Sequence, residues 1–163
     1  QIDSIDSIRQ CLIGEKMKYH APANVNNRFG RTTGTLIGGN LSIIDNLCGS
    51  ISDVHTDGKI LFIEDVGEYL YKVDSMLWNL KRSGKLKKLK GLIVGGFRMK
   101  PDDPGEEFGM NLYEMVLEKV KEYGYPVCFD FPVGHIKENY ALKCGVKHQL
   151  VVGANRAELL SYY

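Results

Sequence analysis

The chain has 163 residues, of which 44% are hydrophobic and 25% are charged, and its formal net charge is +1. These values are typical of one globular domain, and so small a net charge gives no electrostatic reason to expect binding to nucleic acid or an anionic membrane. No apolar run approaches the roughly 20 residues that span a bilayer, and no signal peptide opens the sequence. We therefore expect a cytoplasmic domain. Because no Met opens the sequence, its first residue is interpreted as a boundary within a longer protein.

The cysteines and histidines show no metal-binding spacing. The sequence has neither a CxxC pair nor an HExxH motif, so no metal or organic cofactor is predicted. The cysteines are expected to be reduced and mostly buried. The residues concerned are Cys11, Cys48, Cys128, Cys144, His20, His55, His135 and His148.

Hydrophobic periodicity predicts four helices. The first starts at Ser4 or Ser7, runs through Cys11–Ile13, and ends before a glycine. Its apolar residues at helical spacing are Ile5, Ile8 and Leu12. The other three helices are predicted at Leu41–Leu47, from about Glu68 to Ser83, and at Met110–Tyr123.

Strands are predicted between these helices and at both ends of the chain. They are an edge strand at Lys16–Pro22, strands at Arg31–Ile37, Ile60–Ile63, Gly91–Phe97 and Tyr125–Phe129, and two short strands after Ala141 joined by a Gly-Ala-Asn turn. Polar or Gly/Pro-rich loops are predicted at Ala23–Gly30, Gly49–Gly58 and Lys100–Gly109. Strands alternate with helices only in the middle of the chain, which predicts a single α/β domain with a mixed sheet flanked by helices.

Gly38-Gly39-Asn40 precedes the second predicted helix. A helix N-terminus presents free N–H groups that bind anions, but the sequence contains neither GxxxxGK[ST] nor GxGxxG. The alternative is that the glycines break the strand and allow a tight turn into the helix.

Glu64 and Asp65 follow the buried strand Ile60–Ile63. The carboxyl ends of strands are where ligands and reacting groups collect in open α/β sheets. Asp65 is also well suited to cap the helix that follows. Glu64 is a candidate for orienting a histidine, with an ordinary structural role as the alternative.

His135 lies in a turn after Pro132, and it is the best-placed partner for Glu64. Histidine exchanges a proton near neutral pH, and a carboxylate holds its tautomer and stabilises the imidazolium, so the two residues would form two-thirds of a catalytic triad. A nucleophile is missing, because no GxSxG motif occurs. Cys128 is a candidate only if it is reactive, and a central strand position would bury it as an inert thiol.

Three ordered stretches carry a family resemblance: GTLIGGNLSIIDNLCGS, then DGKILFIEDVGEYLYKVDSMLWNLKRSGKLKKLKGLIVGGF, then FPVGHIKENYALKCGV. Together they resemble the C-terminal domain of the LD-carboxypeptidases. This serine peptidase family includes muramoyltetrapeptide carboxypeptidase and the microcin C immunity peptidase. The similarity runs from about Ser4 to the C-terminus.

The resemblance implies one half of a two-domain enzyme. In this family a flavodoxin-like N-terminal domain supplies the nucleophilic serine and the oxyanion-hole amides, and a swivelling β/β/α-type C-terminal domain supplies a glutamate and a histidine. On that pattern the glutamate is Glu64 and the histidine is His135. The chain would then be a single C-terminal domain, residues 1–163, that lacks its nucleophile domain and is inactive alone. Family members are usually homodimers.

The implied substrate is the tetrapeptide stem of murein fragments, from which the terminal D-alanine is released during peptidoglycan recycling, without a cofactor. Three alternatives stay open. They are a peptidase acting on microcin C-type peptidyl nucleotides, a non-catalytic binding module that kept the fold, and a cysteine hydrolase using Cys128. The face that meets the missing domain is expected to be apolar or unusually exposed.

Overall fold

The structure is a computed structural model that describes residues 4–162. The strands are β1 (Lys18–Pro22), β2 (Gly30–Asn40), β3 (Lys59–Val66), β4 (Gly91–Arg98), β5 (Val127–Cys128), β6 (Lys147–Val152) and β7 (Arg156–Ser161). The helices are α1 (Ser4–Leu12), α2 (Leu41–Leu47), α3 (Leu70–Arg82) and α4 (Leu112–Val120).

The seven strands form one mixed sheet in the order β1-β7-β6-β2-β3-β4-β5. Strands β2 to β5 are parallel to one another, whereas β1, β7 and β6 form antiparallel pairs that join the parallel half at β2. The parallel half is built from the strand–helix alternation in the middle of the sequence, and the antiparallel half from its two ends. The predicted α/β domain with a mixed sheet is confirmed.

Each face of the sheet has its own hydrophobic core. On one face, here the helix-covered face, α2, α3 and α4 pack on alternate strand residues such as Leu61 and Ile63. On the other, the loop-covered face, residues 130–142 and α1 lie over the intervening residues such as Ile60 and Phe62. Strand β3 is therefore buried on both sides, which is why its sequence is a continuous apolar run.

The prediction that Gly38 and Gly39 break the strand is wrong. The strand continues to Asn40 and pairs with β3 along this whole stretch. A Cβ on Gly38 would lie 1.9 Å from the carbonyl oxygen of Phe62, so glycine is needed for the backbones of β2 and β3 to approach. Asn40 then caps α2 by accepting a hydrogen bond from the amide of Ile43.

Other predicted boundaries were right in kind and wrong in extent. Helix α3 begins at Leu70 rather than Glu68, and α4 is shorter than predicted because Asn111 forms a capping box that starts it at Leu112. Helix α3 ends at Arg82, one residue before the predicted end, and Gly84 just beyond it takes a positive φ of 80°. None of the helices between residues 4 and 162 has the length and apolar character needed to cross a membrane.

The four cysteines are free, but the prediction that most of them are buried is wrong. Cys128 is buried, Cys11 and Cys48 are half-buried, and Cys144 is exposed. Cys128 also lies on an edge strand, β5, rather than a central one, and it is buried in the hydrophobic core of the loop-covered face.

Candidate active site

Glu64 and His135 are 71 residues apart in sequence and are in direct contact in the structure. Glu64 lies near the carboxyl end of β3 and is 8% exposed. The His135 side chain is 46% exposed, and its Nδ1 lies 2.6 Å from Glu64 Oε2. The structure therefore brings together the two residues that the sequence singled out.

The contact decides which nitrogen of His135 is free to react. An ionised glutamate only accepts hydrogen bonds, so Nδ1–H of His135 donates to Glu64. In the neutral ring this tautomer leaves the lone pair on Nε2, and that nitrogen can then act as a base. A carboxylate at Nδ1 also stabilises the imidazolium that forms when Nε2 takes a proton.

The pairing of β3 with β4 shifts at Glu64, so that this one residue faces two residues of β4. The register between β3 and β4 changes between Ile63 and Asp65, so that Glu64 lies across from Gly95 and Gly96. Such irregularities redirect side chains and are frequent next to active sites. Here the shift coincides with the residue that contacts His135.

The turn that carries His135 packs directly against the same two glycines. The amide of Gly96 donates to the carbonyl of Val133 at 2.7 Å. A Cβ would lie 2.5 Å from the Val133 carbonyl oxygen if added to Gly95, and 2.3 Å from Ile136 Cγ2 if added to Gly96. The GLIVGGF strand was recognised from sequence, but the need for these two glycines was not, because it depends on a segment almost 40 residues away.

Gly134 allows the glutamate and the turn to pack in direct contact. Its φ is 103°, a region that favours glycine, and a Cβ there would lie 2.6 Å from Glu64 Cβ. Any side chain at residue 134 would displace the carboxylate from His135.

Asn139 closes the turn that carries His135, which the sequence did not reveal. Its Oδ1 accepts a hydrogen bond from the amide of Gly134 at 2.9 Å, and its own amide donates to Ser4 Oγ at 3.1 Å. An asparagine four residues after a turn histidine is a weak signal, and only the closed turn shows its role.

Asp65 does not cap α3, which contradicts the sequence interpretation. Its carboxylate accepts from Asn40 Nδ2 at 2.9 Å, from the Ser42 amide at 2.9 Å and from Ser42 Oγ at 2.7 Å. It therefore ties the first turn of α2 to β3, on the helix-covered face. The cap residue of α3 is Tyr69, which makes no side-chain capping bond.

A shallow cavity of about 350 Å³ opens above the Glu64–His135 pair. It is lined by Gly39, Phe62, Glu64, Val133, Gly134, His135 and Asn139, with neither serine nor cysteine among them. A larger cavity of about 680 Å³ lies beside β1, but Glu64 and His135 do not line it. The chemistry therefore points to the smaller cavity.

Cys128 is not a plausible nucleophile. It is fully buried, and burial raises the pKa of its thiol to about 12. A thiol in that state is almost entirely protonated at neutral pH, which argues against the cysteine hydrolase alternative. Between residues 4 and 162 no group of three or more Cys, His, Asp or Glu residues is arranged to hold a metal ion.

The sequence pattern of the LD-carboxypeptidase C-terminal domain matches residues 33–150. The "Probable murein peptide carboxypeptidase" of Bacillus subtilis is 34% identical over 118 residues, which are 72% of this chain and 37% of that protein. The murein tetrapeptide carboxypeptidase of Pseudomonas aeruginosa is 33% identical over 147 residues, which are 89% of this chain and 46% of that protein.

The solved structure of muramoyltetrapeptide carboxypeptidase from Oxalobacter formigenes superimposes with a TM-score of 0.84 at 27% identity, covering 96% of this chain and 54% of that one. The microcin C7 self immunity protein MccF superimposes with a TM-score of 0.70 at 25% identity, covering 91% of this chain and 41% of that one. The chain thus spans less than half the length of the curated relatives from Bacillus subtilis and Pseudomonas aeruginosa. It belongs to the LD-carboxypeptidase family, in the part described as the C-terminal domain.

Proposed function

We propose that this chain is the C-terminal domain of a serine LD-carboxypeptidase that releases the terminal D-alanine from murein tetrapeptides. The observation that carries the proposal is the 2.6 Å contact between buried Glu64 and half-exposed His135, in a cavity that is not lined by a nucleophile. His135 is the general base and Glu64 is the carboxylate that orients it. The serine comes from an N-terminal domain, here called the nucleophile domain.

The geometry fits a two-step acyl transfer. The serine Oγ attacks the carbonyl carbon of the scissile amide, and its proton passes to Nε2 of His135. When the C–N bond breaks, Nε2 returns that proton to the amine of the leaving D-alanine. Water then attacks the acyl ester, giving a proton to Nε2, and the proton passes to the serine Oγ as the tripeptide leaves. Through both steps Glu64 balances the charge on the imidazolium.

Three further statements belong to the proposal. The isolated chain is catalytically silent, because the step that breaks the amide bond needs the serine. The protein works in the cytoplasm, to which its free cysteines are suited. The intact enzyme is a homodimer, as family members usually are.

The intact Glu64–His135 contact argues against a non-catalytic module, because a domain that only binds has no need of an oriented, exposed base. The microcin C-type alternative keeps the same catalytic pair and differs in substrate. The structural likeness to MccF keeps it in view, although the TM-score is higher for the muramoyltetrapeptide carboxypeptidase.

The test is an assay of D-alanine release from a murein tetrapeptide, together with hydrolysis of a peptidyl nucleotide. Both are measured with this chain alone and with the two-domain enzyme, in which the chain is joined to the nucleophile domain. We expect D-alanine release by the two-domain enzyme only. Activity of this chain without the nucleophile domain would contradict the proposal that the site is divided between two domains. Hydrolysis of the peptidyl nucleotide without D-alanine release would show that the substrate is a peptidyl nucleotide.

A further inference from the structure

Helix α1 turns its apolar side towards solvent. Ile5, Ile8 and Leu12 are 78%, 51% and 82% exposed. At about 100° per residue these positions fall on one side of the helix, so they form a continuous stripe rather than scattered contacts. An amphipathic helix in a domain normally faces its apolar stripe inward, and an outward stripe marks an interaction surface.

The inward side of α1 is small and polar. Ser7 is fully buried, and its Oγ accepts from the amide of Ala141 at 2.9 Å. Ser4 Oγ accepts from the amide of Asn139, and Cys11 Sγ donates to the carbonyl of Ala141 at 3.2 Å. These bonds fix the orientation of α1 on residues 139–141, so the exposed stripe is held in place by the fold.

Helix α1 is linked by hydrogen bonds to the turn of the candidate active site. Asn139, which bonds to Ser4, also holds the amide of Gly134 through its side chain. Only two hydrogen bonds therefore separate α1 from the turn that carries His135. A domain docked on α1 would therefore contact a helix that is bonded, through Asn139, to the turn that carries His135.

We propose that the apolar side of α1, comprising Ile5, Ile8 and Leu12, is the docking surface for the nucleophile domain. This inference rests on the proposed function. The chain spans 37% and 46% of two curated relatives, so more than half of such an enzyme lies outside this chain. The site also needs a nucleophile brought to Nε2 of His135, and the helix that carries the stripe is hydrogen-bonded through Asn139 to that turn.

The stripe differs from the isolated exposed aliphatic residues of the loops. Val25 and Ile51 are fully exposed, but each is a single residue in a loop. Isolated exposed aliphatics are normal on protein surfaces and need no partner. They therefore supply a matched control.

The test compares two contexts and two variants by thermal unfolding. The stripe variant is Ile5→Ser with Leu12→Ser, and the control variant is Val25→Ser with Ile51→Ser. In this chain alone we expect the stripe variant to leave the Tm within about 1 °C of wild type, because exposed side chains contribute little to stability. In the two-domain enzyme we expect the same variant to lower the Tm by about 4 °C or more, since the docked stripe is buried there. The control variant should leave both unchanged.

Hydrogen exchange of the unmodified proteins gives a second readout that does not depend on any variant folding. The amides of α1 should exchange about tenfold more slowly or better in the two-domain enzyme than in this chain alone. Equal exchange in both, together with equal Tm shifts for the stripe variant in both, would overturn the proposal.

A second copy of the chain is the competing occupant. If sedimentation velocity shows this chain to be a dimer that the stripe variant converts to a monomer, the stripe belongs to that interface and the proposal is wrong. D-Alanine release is scored separately. A two-domain enzyme that is inactive but still protects α1 would contradict the proposed reaction and support the docking surface. A two-domain enzyme that is active but does not protect α1 would support the reaction and contradict the docking surface.

Discussion

The two faces of the sheet use adjacent carboxylates of β3 in opposite ways. On the helix-covered face, Asp65 is only 2% exposed, and its carboxylate accepts three hydrogen bonds from Asn40 and Ser42. On the loop-covered face, Glu64 contacts a half-exposed histidine in an open cavity. A carboxylate whose hydrogen bonds are filled by its own fold stabilises that fold, whereas one that orients an exposed base is available for chemistry.

The comparison predicts that substitutions on the loop-covered face at the end of β3 remove activity and spare stability. The largest effect is expected for His135→Ala. In the two-domain enzyme it should lower kcat for D-alanine release by about 10³-fold or more, because it removes the general base. Steady-state kinetics measures the loss, and the Tm should stay near wild type since the side chain is half-exposed. A variant retaining a tenth of wild-type turnover would refute the role.

Glu64→Gln is expected to lower kcat by about 10²-fold, which is severe but less complete. Glutamine keeps the size of the side chain and can accept from Nδ1–H, but it has no charge to stabilise the imidazolium. The kcat and KM values for the tetrapeptide should be measured separately, with the loss falling on kcat. Activity equal to wild type would contradict the orienting role.

Gly96→Ala tests whether catalysis depends on the close packing of the His135 turn against β4. The added Cβ would collide with Ile136, so we expect the turn to shift and kcat to fall about tenfold, with a modest loss of stability. Gly124→Ala is the control, because a Cβ there meets no atom within 4 Å. Matching kinetics for the two variants would show that the turn does not depend on the glycine.

Asp65→Ala should reverse the pattern, costing stability and sparing kcat. It leaves Ser42 and Asn40 without their acceptor, and we expect a loss of about 2 kcal/mol in the free energy of unfolding. That corresponds to a fall in Tm of about 4–8 °C, which calorimetry on the chain alone can measure. A kcat loss comparable to that of Glu64→Gln would break the distinction between the two carboxylates.

A buried histidine sharpens the contrast with exposed His135. His148 is fully buried on β6, where Nδ1–H donates to the carbonyl of Val146 at 2.9 Å and Nε2 has no partner among residues 4–162. Burial, with a further effect of Lys143, lowers the pKa of His148 below its ordinary 6.5.

Because the folded pKa of His148 is lowered, the unfolded chain binds the extra proton first as pH falls. The stability of the chain should therefore be full above about pH 7.5 and decline as the pH drops below 6.5, until the folded pKa is passed. Denaturant unfolding of the chain from pH 8 to pH 5 measures the decline, and His148→Leu should make it shallower. The exposed His20→Ala variant is the control, and an unchanged slope in His148→Leu would show that other groups cause the decline.

Much of this protein could be predicted from local patterns. Continuous apolar runs identified β3 and β4 as buried strands, and helical periodicity identified α3 and its packed side, which includes Val73 and Leu77. These predictions succeeded because burial on two faces of a sheet, or along one side of a helix, requires a characteristic spacing of apolar residues. The strand-end position of Glu64 and the turn position of His135 made them a candidate pair, the family resemblance supported the pair, and the fold brought the two residues together.

What the sequence could not give depends on contacts between distant segments. The roles of Gly96 and Asn139 require the turn to be closed on β4, and the glycine pair in β2 was misread because its neighbour in β3 is not adjacent in sequence. Asp65 was assigned to the wrong helix for the same reason, since its partner Ser42 lies 23 residues upstream. Local spacing also placed Ile5, Ile8 and Leu12 on one side of a helix. Only the tertiary structure showed that this side faces outward, because serines and a cysteine take the buried side through bonds to residues 139–141.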